Sequence, residues 1–341
     1  MNKYLFSLCF FCFSTFHFNV YAQEIRTSEG MHLKGKVWRV DTYQHIADSV
    51  QIKDNIVSYK KVQLLNHVQF LFSKDGLLQA ENRFNKSEDI IELSFIYMFD
   101  EKNQLVDVTR ATFGKFLAGM TKFEYDKEGK KTKGFVYDHE ESLQNTITYT
   151  YDVSGNLIRE TTQNKEYRKI KELVYQYDGN GNRISVKNMK TSARSNTPYR
   201  EVQKFDERNN LIYKSFYDEN DSLQWEYFAD YDSQDSLYYE EVKEKNETIS
   251  HRSELKYDKY HNRLSVKLYG NENGKIQEQY SHYKYDKQQR LLQEEKFLPG
   301  AKKPFLTKKY FYDEHNNWIF CIEEDTRTGG IIVNSQRIAY Y

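Results

Sequence analysis

The chain is poor in the residues that staple, break or terminate structure. It has 3 Cys, 3 Pro and 15 Gly in 341 residues. It also lacks an excess of either charge, with 50 Lys+Arg against 50 Asp+Glu. Zero net charge leaves no basic field to hold nucleic acid or an anionic membrane surface. Cys9 and Cys12 lie in the first 22 residues, so Cys321 is the one cysteine beyond them. A single cysteine makes no internal disulfide, whatever the redox compartment. It sits in the apolar run Trp318-Ile319-Phe320-Cys321-Ile322 and reads as a small buried hydrophobe.

Aromatic residues are abundant, with 29 Tyr, 22 Phe and 3 Trp. Disordered chains are poor in aromatics, so this one is expected to fold. The length allows one to three domains.

The first 22 residues read as a secretory signal peptide. Lys3 supplies the positive start, Tyr4 to Phe18 the apolar run, and Val20-Tyr21-Ala22 a small-residue cleavage site. The run is short for a transmembrane helix. Cleavage before Gln23 removes Lys3 and leaves 49 basic residues against 50 acidic, a net charge of −1. Residues 23–68 are expected to form N-terminal strands, continuous with repeats over 69–341. An exported, periplasmic or cell-surface location follows, with no membrane insertion of the mature chain.

An aromatic followed by a turn recurs along that repeat region. The clearest copies are Tyr125-Asp126-Lys127-Glu128-Gly129, Tyr151-Asp152-Val153-Ser154-Gly155 and Tyr177-Asp178-Gly179-Asn180-Gly181. Looser copies begin at Phe72, Phe99, Phe205, Tyr231, Tyr257, Tyr285 and Tyr312. The intervals from Phe72 are 27, 26, 26, 26, 28, 26, 26, 28 and 27 residues. Asp at the first turn position, as in Asp206, Asp258, Asp286 and Asp313, accepts a backbone N–H two residues on and favours a type I turn. Three residues after the Asp, closing a bulged hairpin needs a positive φ. The occupants are Gly76, Asn103, Gly129, Gly155, Gly181, Asn209, Asp235, His261, Gln289 and Asn316. All but Gln289 belong to the types that enter the left-handed region most readily. The pattern follows from backbone geometry and requires no ligand.

The flanks read as strands. In Thr146-Ile147-Thr148-Tyr149-Thr150-Tyr151 aromatic or aliphatic residues alternate with Thr. Leu157 is expected across the hairpin from Tyr151. A second turn follows about a dozen residues on, as at Tyr137-Asp138 and Tyr217-Asp218. Two antiparallel strands per repeat give an all-β meander of about twenty strands. Open sheets of that size curl, split or close, so the meander is expected to coil into a spiral or barrel-like sheet with an aromatic face. No amphipathic helix is expected.

The motif Tyr-x-Tyr-Asp-x-x-Gly-Asn, at 149–156 and 175–182, resembles the YD repeat of the RHS and teneurin families. The segment Leu33-Lys34-Gly35-Lys36-Val37-Trp38-Arg39-Val40 is similar to the opening strand of short secreted YD-repeat-like proteins of Bacteroidetes type. The resemblance covers roughly Phe72 to Tyr341 and implies a β-shell architecture. The chain departs from RHS toxin shells in having no Asp-Pro cleavage motif, no enclosed toxin after the last repeat, and a longer period.

Motifs for chemistry are weak. Gly179-Asn180-Gly181-Asn182 lacks the third Gly and the following helix of a dinucleotide fingerprint. Asp178, Asn180 and Asn182 imitate the start of a calcium loop, but Arg183 and Met189 stand where Gly and Glu are needed. The histidines are scattered, with no zinc pattern, and there is no Gly-x-Ser-x-Gly and no phosphate loop. Acidic pairs such as Glu140-Glu141 and Glu240-Glu241 read as solvated strand faces rather than a glycosidase pair. Asn85, Asn220 and Asn246 stand in glycosylation sequons. No cofactor, metal or catalytic residue is expected. The expectation is an exported, non-enzymatic binding or scaffold module for a glycan or cell-envelope protein. The alternatives are an outer-membrane β-barrel or a fragment-like relative of an RHS toxin shell.

Overall fold

A computed structural model describes residues 27–87, 90–113, 115–189, 191, 199–272 and 275–341. The expected signal peptide, and residues 190 and 192–198, lie outside the described residues. Among those described there are 22 strands and no helix. Every strand pairs antiparallel with the next, from Val37–Lys53 with Ile56–Phe72 through to Trp318–Asp325 with Gly330–Tyr340. The last strand then returns to the first, with Val40 opposite Ile338 and Tyr43 opposite Ser335. The meander therefore closes as a barrel, with 22 strands where the repeat arithmetic expects about twenty. Closure leaves the sheet without the long open edges that invite pairing with other chains.

The ten expected left-handed positions all have positive φ, from Gly76 at 79° to Asn316 at 66°. Gln289, the one uncharacteristic occupant, has φ 64°. The turns close as type I: Gly155 N–H donates to Asp152 O at 3.1 Å, and Asp152 N–H to Asn156 O at 2.9 Å. Tyr151 then pairs with Leu157, as the hairpin geometry requires, and the register shifts by one residue at the next pair, Thr150 with Arg159. That bulge recurs at Phe99, Tyr125, Tyr231 and Tyr312. It increases the local twist that curls the sheet.

Burial is distributed around the wall rather than gathered at a centre. The larger apolar cluster lies beneath the N-terminal strands and includes Val40, Phe70, Phe72, Leu78, Tyr97, Leu105 and Phe123. A smaller one joins Leu173, Tyr175 and Val186. In the Tyr-x-Tyr-Asp units at 149–152 and 175–178 the first aromatic is the buried one, whereas Tyr283 and Tyr310 in the later units are half-buried. Tyr149 and Tyr175 are each 8% exposed, whereas Tyr151 and Tyr177 are half-buried. Phe70, Tyr97 and Phe123 hold the same deep position in earlier repeats, and Ala229 and Leu255 in later ones.

Candidate binding site at the turn rim

The repeat turns line up along one rim of the barrel, the first fastened by Ser73 and those from Asp100 to Asp313 by their aspartates. Asp178 Oδ1 accepts the N–H groups of Asn180 and Asn182, both at 2.9 Å. Asp126, Asp206, Asp258, Asp286 and Asp313 each accept the same pair of backbone donors. At Asp152 the Asn156 N–H is 2.8 Å from Oδ1. These donors favour the carboxylate, so Asp152 is held below the usual carboxyl range, chiefly by the Asn156 N–H. Asp178 is held low chiefly by the Asn182 side-chain amide.

Beneath the turns runs a second ladder. The repeat tyrosine donates its hydroxyl to the carbonyl of the residue that follows the preceding turn. Tyr125 reaches Leu105 O at 2.8 Å, Tyr177 Leu157 O at 2.9 Å, Tyr257 Leu237 O at 2.8 Å, and Tyr285 Arg263 O at 3.0 Å. Tyr231 and Tyr312 make the same bond to Leu211 and Leu291. Phe99 and Phe205 have no hydroxyl and interrupt it. This bond explains a preference for Tyr over Phe that the repeat pattern alone does not.

Adjacent turns are also tied to one another. The residue four after each Asp reaches toward the left-handed residue of the next turn. Asn182 Nδ2 donates to Asn209 Oδ1 at 2.8 Å, and Asn210 Nδ2 to Asp235 Oδ1 at 2.7 Å. Ser236 Oγ bonds His261 Nδ1 at 2.9 Å, Asn262 donates to Gln289, and Arg290 Nη1 donates to Asn316 Oδ1 at 2.8 Å. The side chains at the positive-φ positions thus have a second role besides tolerating the backbone. Where that residue is glycine, a longer neighbour spans the gap. Gln104 Nε2 reaches Gly129 O at 3.1 Å, and Lys130 Cε comes within 3.4 Å of where a Gly155 Cβ would stand.

One junction from Asp100 to Asn316 is left open. Asn156 spends its side-chain amide on its own Asp152, at 3.1 Å. Gly181 offers no side chain, and a Cβ there, or at Gly179, would meet nothing within 4 Å. Gly179 has no positive φ, so the turn itself makes no demand for glycine there. A groove of about 870 Å³ results. Ile158, Ile184, Tyr175 and Tyr177 give it apolar surface, and Asp152, Asn156, Asp178 and Asn180 give it polar surface. The phenol groups are engaged below, Tyr177 with Leu157 O and Tyr175 with Glu160 Oε1 at 3.2 Å.

Other constellations do less. His251 Nε2 lies 2.9 Å from Ser253 Oγ and 3.6 Å from Glu240 Oε1. Hydroxyl and carboxylate share one ring nitrogen, whereas a nucleophile relay needs one on each. The calcium-like loop is filled by its own donors: Asn180 and Asn182 both turn their amide nitrogens onto Asn209 Oδ1. Glu160 is 5% exposed, and burial raises its carboxyl above the ordinary range while lowering the nearby Lys131 and Lys171 ammonium groups. Asp41 is also buried, yet bonds from Arg39, Gln69 and His67 outweigh burial and hold it low. His67 is stacked between Tyr43 and Phe84, at 4.2 and 4.1 Å between ring centroids. Cys321 is buried and its thiol is pushed up to about 12 by burial, so it is no nucleophile near neutral pH.

No protein-family model matches the chain, and no curated protein matches it either. Solved structures do align. A crystal structure of TcdB2–TccC3 with Cdc42 aligns over 86% of this chain at 12% identity and a TM-score of 0.37; the chain spans 18% of that chain's length. A porin-like protein from Bacteroides uniformis aligns over 90% of this chain and 99% of its own at 8% identity, with a TM-score of 0.30. One from Bacteroides vulgatus aligns over 89% and 98% at 10% identity, with a TM-score of 0.24.

Proposed function

We propose that the chain is an exported binding or scaffold barrel without catalytic chemistry, and that the open turn junction between Asn156 and Gly181 is where it takes its ligand. The supporting observation is the exception itself. Seven junctions of the same rim are closed by the protein's own side chains, and the groove lies at the eighth. The ligand class carried from the sequence is a glycan or a cell-envelope protein, with no nucleic acid. A scaffold presents such a site on a rigid rim because each turn is fixed by its aspartate and its neighbours.

The test compares the purified protein with Gly181→Asn and Gly129→Asn on a glycan array and in pull-downs from envelope extract. Asn already occupies the equivalent position at 209 and 316, so both variants should fold. A genuine groove ligand is lost with Gly181→Asn and kept with Gly129→Asn. Ligands that respond to neither substitution place binding elsewhere on the barrel.

A membrane-spanning barrel is the second reading, favoured by closure and an even strand number. Mid-strand charge weighs against it. One sheet face carries Glu160, Lys171, Glu240, Glu294 and Lys308, and the other Lys133, Arg159, Glu172 and Glu241. A lipid-facing surface needs an apolar band about 25 Å tall. Partition of the protein into a detergent phase would favour this second reading.

A further inference from the structure

We infer that the open junction takes a cationic group, an alkylammonium or guanidinium borne by a side chain of a partner polypeptide. This rests on the reading of the junction as a binding site and names the chemistry it selects.

In two of the seven closed junctions the residue that spans the gap is a cation; in the other five it is Gln104, Asn182, Asn210, Ser236 or Asn262. Between the turns at Asp126 and Asp152, Lys130 Nζ lies 5.8 Å from the centroid of the Tyr151 ring. Between Asp286 and Asp313, the Arg290 guanidinium lies 4.9 Å from the centroid of Tyr312 and donates to Asp286 Oδ2 at 2.6 Å. In both places the residue four after the turn aspartate is a cation, set over the tyrosine of the following repeat. At the open junction that residue is Asn156, and the tyrosine is Tyr177. Among the described residues no cation lies over Tyr177. The nearest guanidinium, that of Arg183, lies over Tyr175 instead, 5.6 Å from its centroid.

The groove keeps the rest of the arrangement. Asp152 stands where Asp286 stands for Arg290, and Asp178 adds a second carboxylate from the next turn. Both are held ionised at neutral pH. No Lys or Arg is among the lining residues; the Arg183 guanidinium stands beside the groove at the Tyr175 ring, so two carboxylates face the space against one neighbouring cation. A ring face, a carboxylate beside it and space between them suit an incoming cation. The volume exceeds that of a lone lysine side chain, leaving room for the peptide that carries it. Ile158 and Ile184 offer apolar contact for its methylene stem.

The test is a calorimetric or NMR titration of the purified protein. The probes are Nα-acetyl-lysine methylamide, its Nε-acetylated form, Nα-acetyl-arginine methylamide, spermidine and maltohexaose. The lysine and arginine probes are expected to bind at roughly millimolar Kd, weakening with salt, and the Nε-acetylated probe at least about tenfold more weakly. Asn156→Lys places a lysine as Lys130 is placed and should weaken the lysine probe by about tenfold or more, with its melting temperature as the check on folding. Lys130→Ala empties the junction over Tyr151 and should add a second equivalent of binding. Equal affinity for the Nε-acetylated probe, or an unaffected Asn156→Lys protein, overturns the inference. Spermidine binding far more tightly than either amino-acid probe overturns the polypeptide source. Maltohexaose binding that is lost in Gly181→Asn, with no cation binding, overturns the cation while leaving the groove as a binding site.

Discussion

Tyr177 donates its phenolic hydrogen to the main-chain oxygen of Leu157, 2.9 Å away and 20 residues earlier. The bond joins the strand entering one turn to the strand leaving the turn before. It is the repeat's internal fastening, and it satisfies a carbonyl that lies beyond the last ladder pair of the two strands, Arg159 with Val174.

Tyr177→Phe should therefore destabilise the barrel by about 0.5–1.5 kcal/mol, the usual net worth of one such bond. Phe205 stands where the ladder is interrupted, and by the offset of Leu157 from Asp152 the equivalent acceptor is the carbonyl of Arg183, five residues after Asp178. Phe205→Tyr should be neutral or stabilising by a similar amount. Urea melts that show no loss for Tyr177→Phe would remove the ladder from the account of stability.

The two aromatics of the Tyr-x-Tyr-Asp unit at 149–152 should separate in truncation. Tyr149 is buried between strands and Tyr151 is half-buried near the rim. Tyr149→Ala should cost about 3 kcal/mol or more, on the scale of aromatic core truncations, and Tyr151→Ala distinctly less. Equal losses would contradict the division of labour between deep and rim positions.

Gly155 tests the turn itself. Its φ is 88°, and a β-branched residue there meets a steric cost of roughly 1–2 kcal/mol. Gly155→Val should destabilise by at least that much and Gly155→Asn by little. Val153→Ser, in the same turn without a positive φ, is the control. Identical melts for Gly155→Val and Val153→Ser would refute a left-handed requirement.

Glu160 sets a pH dependence of known sign. Burial raises its folded carboxyl above the ordinary 4.5. The folded state then holds its proton more tightly than the unfolded state. Its contribution to stability is greatest below the unfolded value and is lost as pH rises from there through the raised folded value. Glu160→Gln should flatten that part of the stability–pH curve and leave the acid end nearly unchanged. An unaltered slope above pH 4.5 would mean that Glu160 is ionised at no cost in the folded barrel.

These features were legible in the sequence to different depths. The turns at Asp126, Asp152 and Asp178 could be placed to the residue, because a type I turn with a left-handed exit is a local requirement of four or five residues. Even Gln289, against type, obeyed the period. Closure was not legible, since pairing Val40 with Ile338 depends on the accumulated twist of every strand between them. The tyrosine ladder was hidden for a related reason: its acceptor lies in the preceding hairpin, at a distance set by sheet stagger. The groove was hidden because it depends on two positions at once. A signal existed in the comparison of Asn156 with Lys130 and Arg290, and of Gly181 with Asn209 and Asn316. Each residue is bland by itself, and only the aligned rim shows that Asn156 is no cation and has no side chain at 181 to meet.

That pairing makes Gly181→Asn the most informative substitution for the rim. The backbone there, φ 84°, is one that Asn adopts at 209 and 316, so strain should be small. A Cβ at 181 meets nothing within 4 Å, so no neighbour has to move. The new carboxamide oxygen would stand where Asn209 Oδ1 receives Asn182, and Asn156 Nδ2 is the matching donor. Asn156 must then share that amide between Asp152 and the new acceptor, as Asn182 does between Asp178 and Asn209. Losing glycine also removes conformational freedom from the unfolded chain, worth about 0.4–1 kcal/mol where the native φ is tolerated. The melting temperature should hold or rise, and amide exchange in the 178–182 turn should slow. A clear fall in stability would show that the open junction is kept by a backbone demand peculiar to this turn, and that the groove is a by-product of it.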